Sequence, residues 1–284
     1  MPIQKTSAIP LYFTNVSNTS RVVTWMTARY GKLSTIIKGE QRKNSLFRGQ
    51  YDLFSTSELL FYDRTEKGMH IAKECSMLTR RAAFRTDWRA CASAGYISAL
   101  LAKTTLRHGH EPERFEFFEE MLTLAETYGR HPAFLVWFDL QFADFQGQAI
   151  QLEDRGQKTE DRGQRTEDGS QRSETRDQRS EALTSHIPPS TSHTPAARFS
   201  AEHGGVIDPG YARQHRIPAS PIAPEAVALL RAWQQADSPK EVVAAPCNPA
   251  YLAQIERVLE KFVSWQFDLP PHVRKKALET LRAA

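Results

Sequence analysis

The sequence predicts an α+β protein: a small amino-terminal β-barrel followed by an all-helical region that carries a disordered low-complexity insertion. Three observations predict this class. The first 79 residues consist of short runs rich in Val, Ile, Thr and aromatic residues, with turn formers between them. From residue 80 onwards apolar residues recur at helical spacing. Between residues 153 and 180 a seven-residue repeat contains no apolar side chain.

Strand-like runs fill the amino-terminal segment, at residues 7–16, 21–28, 32–38, 50–63 and 68–77. Turn formers such as Gly31, Gly39 and Gly68 separate them. Several runs alternate partly between apolar and polar residues, as strands do when one face lines a core and the other meets solvent or ligand. Five strands in about 75 residues predict a barrel domain over residues 1–79.

Helical patterns follow at residues 88–106, 111–129 and 131–147. The first places Cys91, Ala94 and Leu101 at helical spacing and is rich in Ala. The second has Pro112 near its start, where helices accept proline, and Gly129 as its stop. The third is apolar around most of its circumference, which places it at the centre of a bundle. We predict the first part of a helical domain over residues 80–152.

Four heptads occupy the repeat: EDRGQKT, EDRGQRT, EDGSQRS and ETRDQRS. A coiled coil needs apolar residues at two positions of each heptad, and none is present. The charges nearly cancel, so the segment cannot bury enough surface to fold. With the Ser, Thr and Pro-rich stretch that follows, it predicts a disordered insertion over 153–197. An interaction tether is the functional alternative.

Structure is expected to resume near Phe199. Paired glycines and a Pro-Gly step indicate a turn-rich stretch, and three helices follow at residues 223–236, 248–267 and 270–283. We predict that they pack onto the earlier helices. Residues 198–284 then form the second part of the helical domain.

Positive charge is concentrated near the amino terminus. The formal net charge of the whole chain is +4, but residues 1–50 hold eight Lys or Arg residues against one acid, Glu40. Such an imbalance is typical of a surface that meets a polyanion.

Other sequence signals are weak. The first ten residues lack a signal-peptide pattern, and the longest strongly apolar run, at 133–138, is too short to span a bilayer, so we predict a cytoplasmic protein without membrane contact. The cysteines, Cys75, Cys91 and Cys247, are odd in number and far apart, which favours buried free thiols.

Catalytic motifs are absent from the sequence. It contains no GxxxxGK[ST], GxGxxG, GxSxG or HExxH pattern. The HGHE stretch at 108–111 is more typical of a polar loop between helices than of a metal site. Asp139 and Asp144 do not share a helix face well, so a nuclease-like carboxylate cluster is not indicated. We predict no enzymatic activity and no cofactor.

The basic segment is therefore the strongest functional signal. Lys and Arg on a small barrel supply an electrostatic groove for a phosphate backbone. Aromatic side chains can stack bases if exposed, or belong to the core; at Tyr12, Trp25, Tyr30 and Phe47 both alternatives stay open, with the core favoured.

The ordered motif SNTSRVVTWMTARYGKLSTIIKGEQRKNSLFRG resembles the amino-terminal OB-fold of the bacterial recombination mediator family RecO. The family pattern has a Ser, then Thr and Gly-Lys, then Lys-Gly, basic residues and a Ser before an aromatic. The matching positions are Ser20, Arg21, Thr27, Gly31, Lys32, Lys38, Gly39, Arg42, Lys43, Ser45, Phe47 and Arg48.

The resemblance also implies a departure from the family. Many RecO proteins carry a zinc ribbon made of two cysteine pairs in the carboxy-terminal half. Residues 199–212 are similar to the stretch that holds the second pair, but Asp208 and Tyr211 stand in the cysteine positions, and residues 148–157 lack the first pair. This member is expected to lack zinc, with the repeat inserted at the degenerate ribbon.

What the resemblance implies is a non-enzymatic protein of recombinational repair. It would bind single- and double-stranded DNA, anneal complementary strands, and work with RecR to load RecA on DNA coated by single-strand-binding protein. The carboxy-terminal tail of that protein is a further expected partner, and the nucleoid the expected location. The expected phosphate contacts are Arg21, Arg29, Lys32, Lys38, Arg42, Lys43 and Arg48. The alternative is an OB-fold protein-interaction scaffold without direct DNA annealing.

Overall fold

The computed structural model describes residues 2–64, 68–107, 109–153 and 197–283. The chain divides into two units, Met1–Phe138 with Phe267–Ala284, and Asp139–Gln266. The predicted insertion at 153–197 lies outside the described residues except at its two ends, so its disorder stays a prediction.

Five strands form a closed barrel in the first unit, in the order β1-β2-β3-β5-β4. Their bounds are β1 Ile3–Asn15, β2 Arg21–Thr27, β3 Gly31–Ile37, β4 Thr56–Tyr62 and β5 His70–Thr79. All neighbours are antiparallel except β3 and β5, which pair in parallel. The predicted barrel is confirmed, and the strand at 50–63 begins later than predicted because residues 50–55 belong to a loop.

Alternation along the strands decides which side chains fill the barrel. In β3, Leu33, Thr35 and Ile37 are buried, whereas the residues between them are only half-buried. Trp25 of β2 is fully buried, and its Nε1 donates to Thr35 Oγ1 at 2.9 Å. At about 25 cal/mol per Å² over about 200 Å², burial of this indole contributes at most ~5 kcal/mol to folding.

Nine helices are present in the described part of the chain. They are α1 Ala83–Thr86, α2 Trp88–Thr104, α3 Pro112–Tyr128, α4 Pro132–Phe145, α5 Pro209–Gln214, α6 Pro224–Gln234, α7 Pro239–Ala244, α8 Pro249–Phe267 and α9 Pro271–Arg282. The six predicted helices are confirmed as α2, α3, α4, α6, α8 and α9. The short helices α1, α5 and α7 were not predicted.

Capping fixes the start of α2 in the first unit, where the Asp87 carboxylate accepts from the backbone N–H groups of Arg89 and Ala90. Helix α2 then packs against α3 and α9. Helix α4 begins in the first unit and ends in the second, because the division falls between Phe138 and Asp139.

A buried arginine joins the barrel to α3 within the first unit. The Arg81 guanidinium donates to the Phe54 carbonyl at 2.7 Å, to Thr56 Oγ1 at 3.0 Å and to the Glu119 carbonyl at 3.3 Å. The Glu119 carboxylate lies 3.6 Å from the same group and accepts from Thr56 Oγ1 at 2.6 Å. Hydrogen bonds to a charged donor contribute more than neutral ones, so this cluster fixes the start of β4 against α3.

The second unit contains a three-stranded sheet that the sequence did not predict. Its strands are β6 Ala197–Ser200, β7 Gly205–Ile207 and β8 Ser220–Ile222, in the order β7-β6-β8. Gln151 extends the sheet, because its carbonyl accepts from Val206 N at 2.7 Å and its N–H donates to the Gly204 carbonyl at 3.0 Å. A Cβ at position 205 would overlap the Gln151 carbonyl oxygen, so this approach requires Gly205.

The remaining observations concern membranes and thiols. No helix in the described ranges is long and apolar enough to cross a bilayer. All three cysteines are free, as predicted, but only Cys75 is buried; Cys91, on a partly exposed face of α2, and Cys247, in the loop between α7 and α8, are half-buried.

Replacing Arg81 by Met is expected to destabilise the first unit by about 2 kcal/mol, because the Phe54 carbonyl loses its charged donor and Thr56 loses a hydrogen bond, while Glu119 is exposed enough to be solvated. Urea unfolding followed by Trp fluorescence measures this loss. The matched control is Arg80→Met, at the exposed neighbouring position, which should change stability by less than about 0.5 kcal/mol. Equal losses in the two variants would contradict the role of Arg81.

Thiol reactivity tests the burial of Cys75 in the barrel. Burial raises the pKa of Cys75 to about 12, so at pH 8 only about one molecule in ten thousand carries the reactive thiolate. Alkylation of the native chain should therefore modify Cys91 and Cys247 before Cys75, while in urea all three should react at similar rates. Mass spectrometry of tryptic peptides reads the order, and early modification of Cys75 would show that the barrel is open at that strand.

Candidate nucleic-acid interface

Four of the seven predicted phosphate-binding residues lie on one loop. Residues 38–50, which we call the basic loop, follow β3, and they expose Lys38, Arg42, Lys43 and Arg48. Successive turns give the loop its shape: the N–H groups of residues 42, 45, 48 and 50 donate to the carbonyls of residues 39, 42, 45 and 47. Short-range hydrogen bonds of this kind satisfy the backbone while leaving the long side chains in solvent.

The loop is fixed to the barrel at several points. Phe47 packs against the barrel core, and Tyr51, directly after the loop, is part of that core. The Gln41 N–H donates to the Thr19 carbonyl at 3.3 Å, which ties the loop to the β1–β2 turn. Gly39 has φ +69°, a conformation that favours glycine, and Cδ, Nε and Cζ of Arg42 lie next to it.

Arg21 lies near the base of this loop and makes contacts within the chain. Its Nη1 is 3.5 Å from Glu40 Oε1, its Nε donates to Asn15 Oδ1 at 3.3 Å, and its guanidinium lies 5.0 Å from the centroid of the Phe13 ring. Only a quarter of its side chain is exposed. These contacts hold Arg21 in place, and its assignment to phosphate stays a prediction.

Glu40 is the single acid of the first 50 residues, and it faces inward. Its side chain is 14% exposed and lies near the Tyr51 ring; burial, and then the Glu40 carboxylate, raise the pKa of the Tyr51 phenol. Because Glu40 is paired with Arg21, it does not neutralise the exposed cations. In the described ranges no ion pair is recorded for Lys38, Arg42, Lys43 or Arg48.

The other two predicted residues lie at the opposite end of β3. Arg29 is exposed on the β2–β3 turn, with its guanidinium 5.9 Å from the centroid of the Tyr30 ring. Lys32 is half-buried, and its Nζ donates to the Ala102 carbonyl of α2. Burial, with the neighbouring charges of Arg107 and Lys103, lowers the pKa of Lys32. Lys32 therefore contacts α2, whereas Arg29 projects into solvent.

The aromatic side chains are mostly core residues. Trp25 is fully buried, so stacking on a base is excluded there. Tyr30 and Phe47 are half-buried and pack against the barrel core. Tyr12 remains 45% exposed, and Leu46 of the basic loop is 89% exposed, a feature that sequence analysis did not single out. The exposed apolar side chain beside the loop cations is therefore aliphatic, namely Leu46, and not aromatic.

Metal-binding geometry is not found in the described ranges, which contain no group of three or more His, Cys, Asp or Glu side chains suited to an ion. His108 lies outside those ranges. Asp208, in a predicted cysteine position, caps α5 by accepting from the Tyr211 N–H at 2.7 Å. The Tyr211 ring lies 4.3 Å from the His215 ring, so both positions have structural roles.

Comparison with known proteins finds similarity to one family over most of the chain. A family model described as "Recombination protein O N terminal" matches residues 1–81, and one described as "Recombination protein O C terminal" matches residues 85–275. The chain is 24% identical to a DNA repair protein RecO of Chlorobium luteolum over 151 residues, 53% of this chain and 57% of that protein. It is 23% identical to a DNA repair protein RecO of Syntrophus aciditrophicus over 149 residues, 52% and 58% of the two chains. The match thus spans little more than half the length of these curated relatives.

Glu40→Gln is expected to loosen the basic loop, because Arg21 loses its ionic partner. A partly buried pair of this kind stabilises by about 1 kcal/mol, so the open population of the loop should rise about fivefold. Limited tryptic cleavage after Arg42 and Lys43 measures that population. The matched control is Glu74→Gln, an exposed acid on β5; if both variants are cleaved at the wild-type rate, Glu40 does not hold the loop.

Proposed function

The chain belongs to the recombination protein O family, and from this premise we propose that it binds nucleic acid through the basic loop in DNA repair and recombination. The observation that carries the proposal is the exposure of four cations on one ordered loop, while the one acid of that loop, Glu40, is paired with Arg21. Like charges held together repel one another, and a polyanion relieves that repulsion.

The geometry favours contact with phosphates over contact with base edges. The four side chains are exposed on a loop, where they can follow a backbone, but no strand or helix presents them as a fitted groove. Affinity should then depend on salt and little on sequence. If each cation neutralises one phosphate of a single strand, log K should fall against log[salt] with a slope of about −2.8.

Strand annealing is the finer activity that we propose. Annealing requires that two polyanions be brought together with their charges screened and their bases free to pair. Cationic side chains that contact phosphates leave bases unoccupied, and Trp25 and Phe47 are packed in or against the core, where they do not compete for them. A protein of this kind acts by binding, without a catalytic step, on single- and double-stranded DNA.

The family premise also suggests the protein partners. We include RecR, the carboxy-terminal tail of single-strand-binding protein, and RecA, whose loading on coated DNA would be the outcome of the assembly. These interactions would take place at the nucleoid in the cytoplasm. The geometry of the basic loop does not indicate which of these partners it contacts.

A scaffold function is the second candidate, in which the basic loop binds an acidic segment of a partner protein and no DNA is annealed. The exposed Leu46 favours it, since an apolar side chain amid cations suits a mixed acidic and apolar peptide. Comparing affinities for an oligonucleotide and for an acidic peptide separates the two candidates.

Reversing the charge of Arg42 and Lys43 together, as R42E with K43E, should lower oligonucleotide affinity by at least about tenfold at low salt and reduce the salt slope by about 1.4, because two phosphate contacts are lost. Fluorescence anisotropy with a labelled single strand across a salt series measures both quantities. An annealing assay on the same samples should slow in parallel.

The matched control reverses two exposed cations of the second unit, Lys240→Glu and Arg257→Glu, and so changes the net charge by the same amount. The control should leave the salt slope unchanged. If the loop variant binds as tightly as the wild type at low salt, the basic loop is not the binding site. If both double variants lose affinity equally, only the total charge of the chain matters.

A further inference from the structure

A second group of cations lies at the end of β3 that is distant from the basic loop. The α2–α3 loop packs there against the β2–β3 turn: the Lys32 N–H donates to the Leu106 carbonyl at 3.3 Å, and His110 Nδ1 lies 3.1 Å from the Arg29 carbonyl. Arg107 forms isolated bridges with Gly31 and Lys32. Arg29 and Arg107, far apart in sequence, are thereby held on adjacent segments. We call Arg29, Arg107 and His110 the turn cluster.

The main chain of the β2–β3 turn lies very close to that of the α2–α3 loop. Gly31 has φ +57°, and a Cβ at this position would overlap the Gly109 carbonyl oxygen. Only glycine allows the two backbones to approach so closely. The positions of Arg29 and Arg107 are therefore set by contacts between main chains, and they do not depend on the flexible side chains.

The nearby acids are already paired. Glu111 binds Arg114 at 2.7 Å, and Asp268 binds Lys103 at 2.6 Å. For Arg29 and Arg107 no ion pair is recorded among the residues that the structure describes, and both are exposed, as is His110. Burial, and then the charges of Arg107 and Lys103, lower the pKa of Lys32, which is consistent with repulsion among the cations at this end of β3. An anion bound at the surface would relieve this repulsion.

We propose that the turn cluster is a second phosphate-binding site, which holds the same nucleic-acid strand that the basic loop binds. The inference rests on the proposed function and adds residues of the α2–α3 loop to it. The two sites are joined by β3, whose seven residues at about 3.3 Å each separate them by ~20 Å. At 3.4 Å per nucleotide along a helical strand, this distance corresponds to about six nucleotides, within the range for one OB-fold.

The chemistry of the turn cluster favours nucleic acid over an acidic peptide. Two guanidinium groups match phosphate oxygens with paired N–H donors. Connection through β3 to the basic loop also suits a long polymer.

The experiment compares the wild type with Arg29→Gln/Arg107→Gln, a double variant that keeps most of the side-chain length and removes both charges. Oligonucleotide affinity should fall about tenfold at low salt, and the salt slope should lose about 1.4. Arg29→Lys/Arg107→Lys, which keeps both charges, should retain the wild-type slope. Lys240→Gln/Arg257→Gln serves as the matched control. Thermal unfolding of each variant checks that the chain is folded. If Arg29→Gln/Arg107→Gln is not folded, the salt slope of Arg29→Lys/Arg107→Lys can still be measured.

The outcomes separate the two proposals. If the Gln variant loses slope and affinity while the control does not, the turn cluster is a phosphate site. If it binds as the wild type while R42E with K43E fails, the turn cluster is excluded and the basic loop stands. If the wild type does not bind oligonucleotide, both proposals fail. If the Gln variant loses binding to a polyglutamate peptide but not to the oligonucleotide, the site belongs to an acidic protein partner and the inference is overturned.

Discussion

The parallel pairing of β3 with β5 is the constraint on which the rest of the first unit depends. In the barrel β5 lies between β3 and β4, and it is antiparallel to β4. The chain that leaves β3 at Ile37 must therefore pass over the end of β5 before it enters β4 at Thr56. A two-residue turn cannot make that crossing. The chain makes this crossing with eighteen residues, 38–55, a connection longer than most, at one end of the barrel. The basic loop is the main part of this connection.

Charge is distributed around this connection in two layers. The inner layer consists of Arg21 and Glu40, which form an ion pair at the base of the loop, so that their opposite charges largely cancel. The outer layer consists of cations that face solvent. At the opposite end of β3, Lys32 contacts α2 while Arg29 and Arg107 remain outside. Both ends of the strand thus have one cation held by contacts within the chain and others that are exposed to solvent.

Much of the fold follows from the sequence because its signals are local. The alternation in β3 assigns Leu33 and Ile37 to the core, and proline at the first position marks the start of α3. The sheet of β6, β7 and β8 was missed because strands of three or four residues are too short to show alternation, and their pairing with Gln151 crosses the insertion. Sequence-based prediction reads such segments as turns.

The candidate site, too, could be predicted from the sequence only in part. The four loop cations could be identified from composition, since they crowd into a few residues with one acid. Sequence could not show that Glu40 pairs with Arg21, nor that Lys32 points at a carbonyl of α2, because both depend on contacts between distant residues. Arg107 was overlooked for the same reason: it is separated from Arg29 by most of the barrel and by α2.

The packing of Phe47 against the barrel core, with Tyr51 inside it, has a consequence for the thermodynamics of the binding that we propose. Loops usually lose conformational entropy when a ligand orders them, and this loss weakens affinity. Here Phe47 packs against the barrel core and successive turns of the loop are hydrogen-bonded, so the main chain of the loop is ordered when the barrel folds. If the basic loop binds nucleic acid as we propose, its ordered main chain loses little freedom on binding, and most of the entropy cost falls on the exposed cationic side chains.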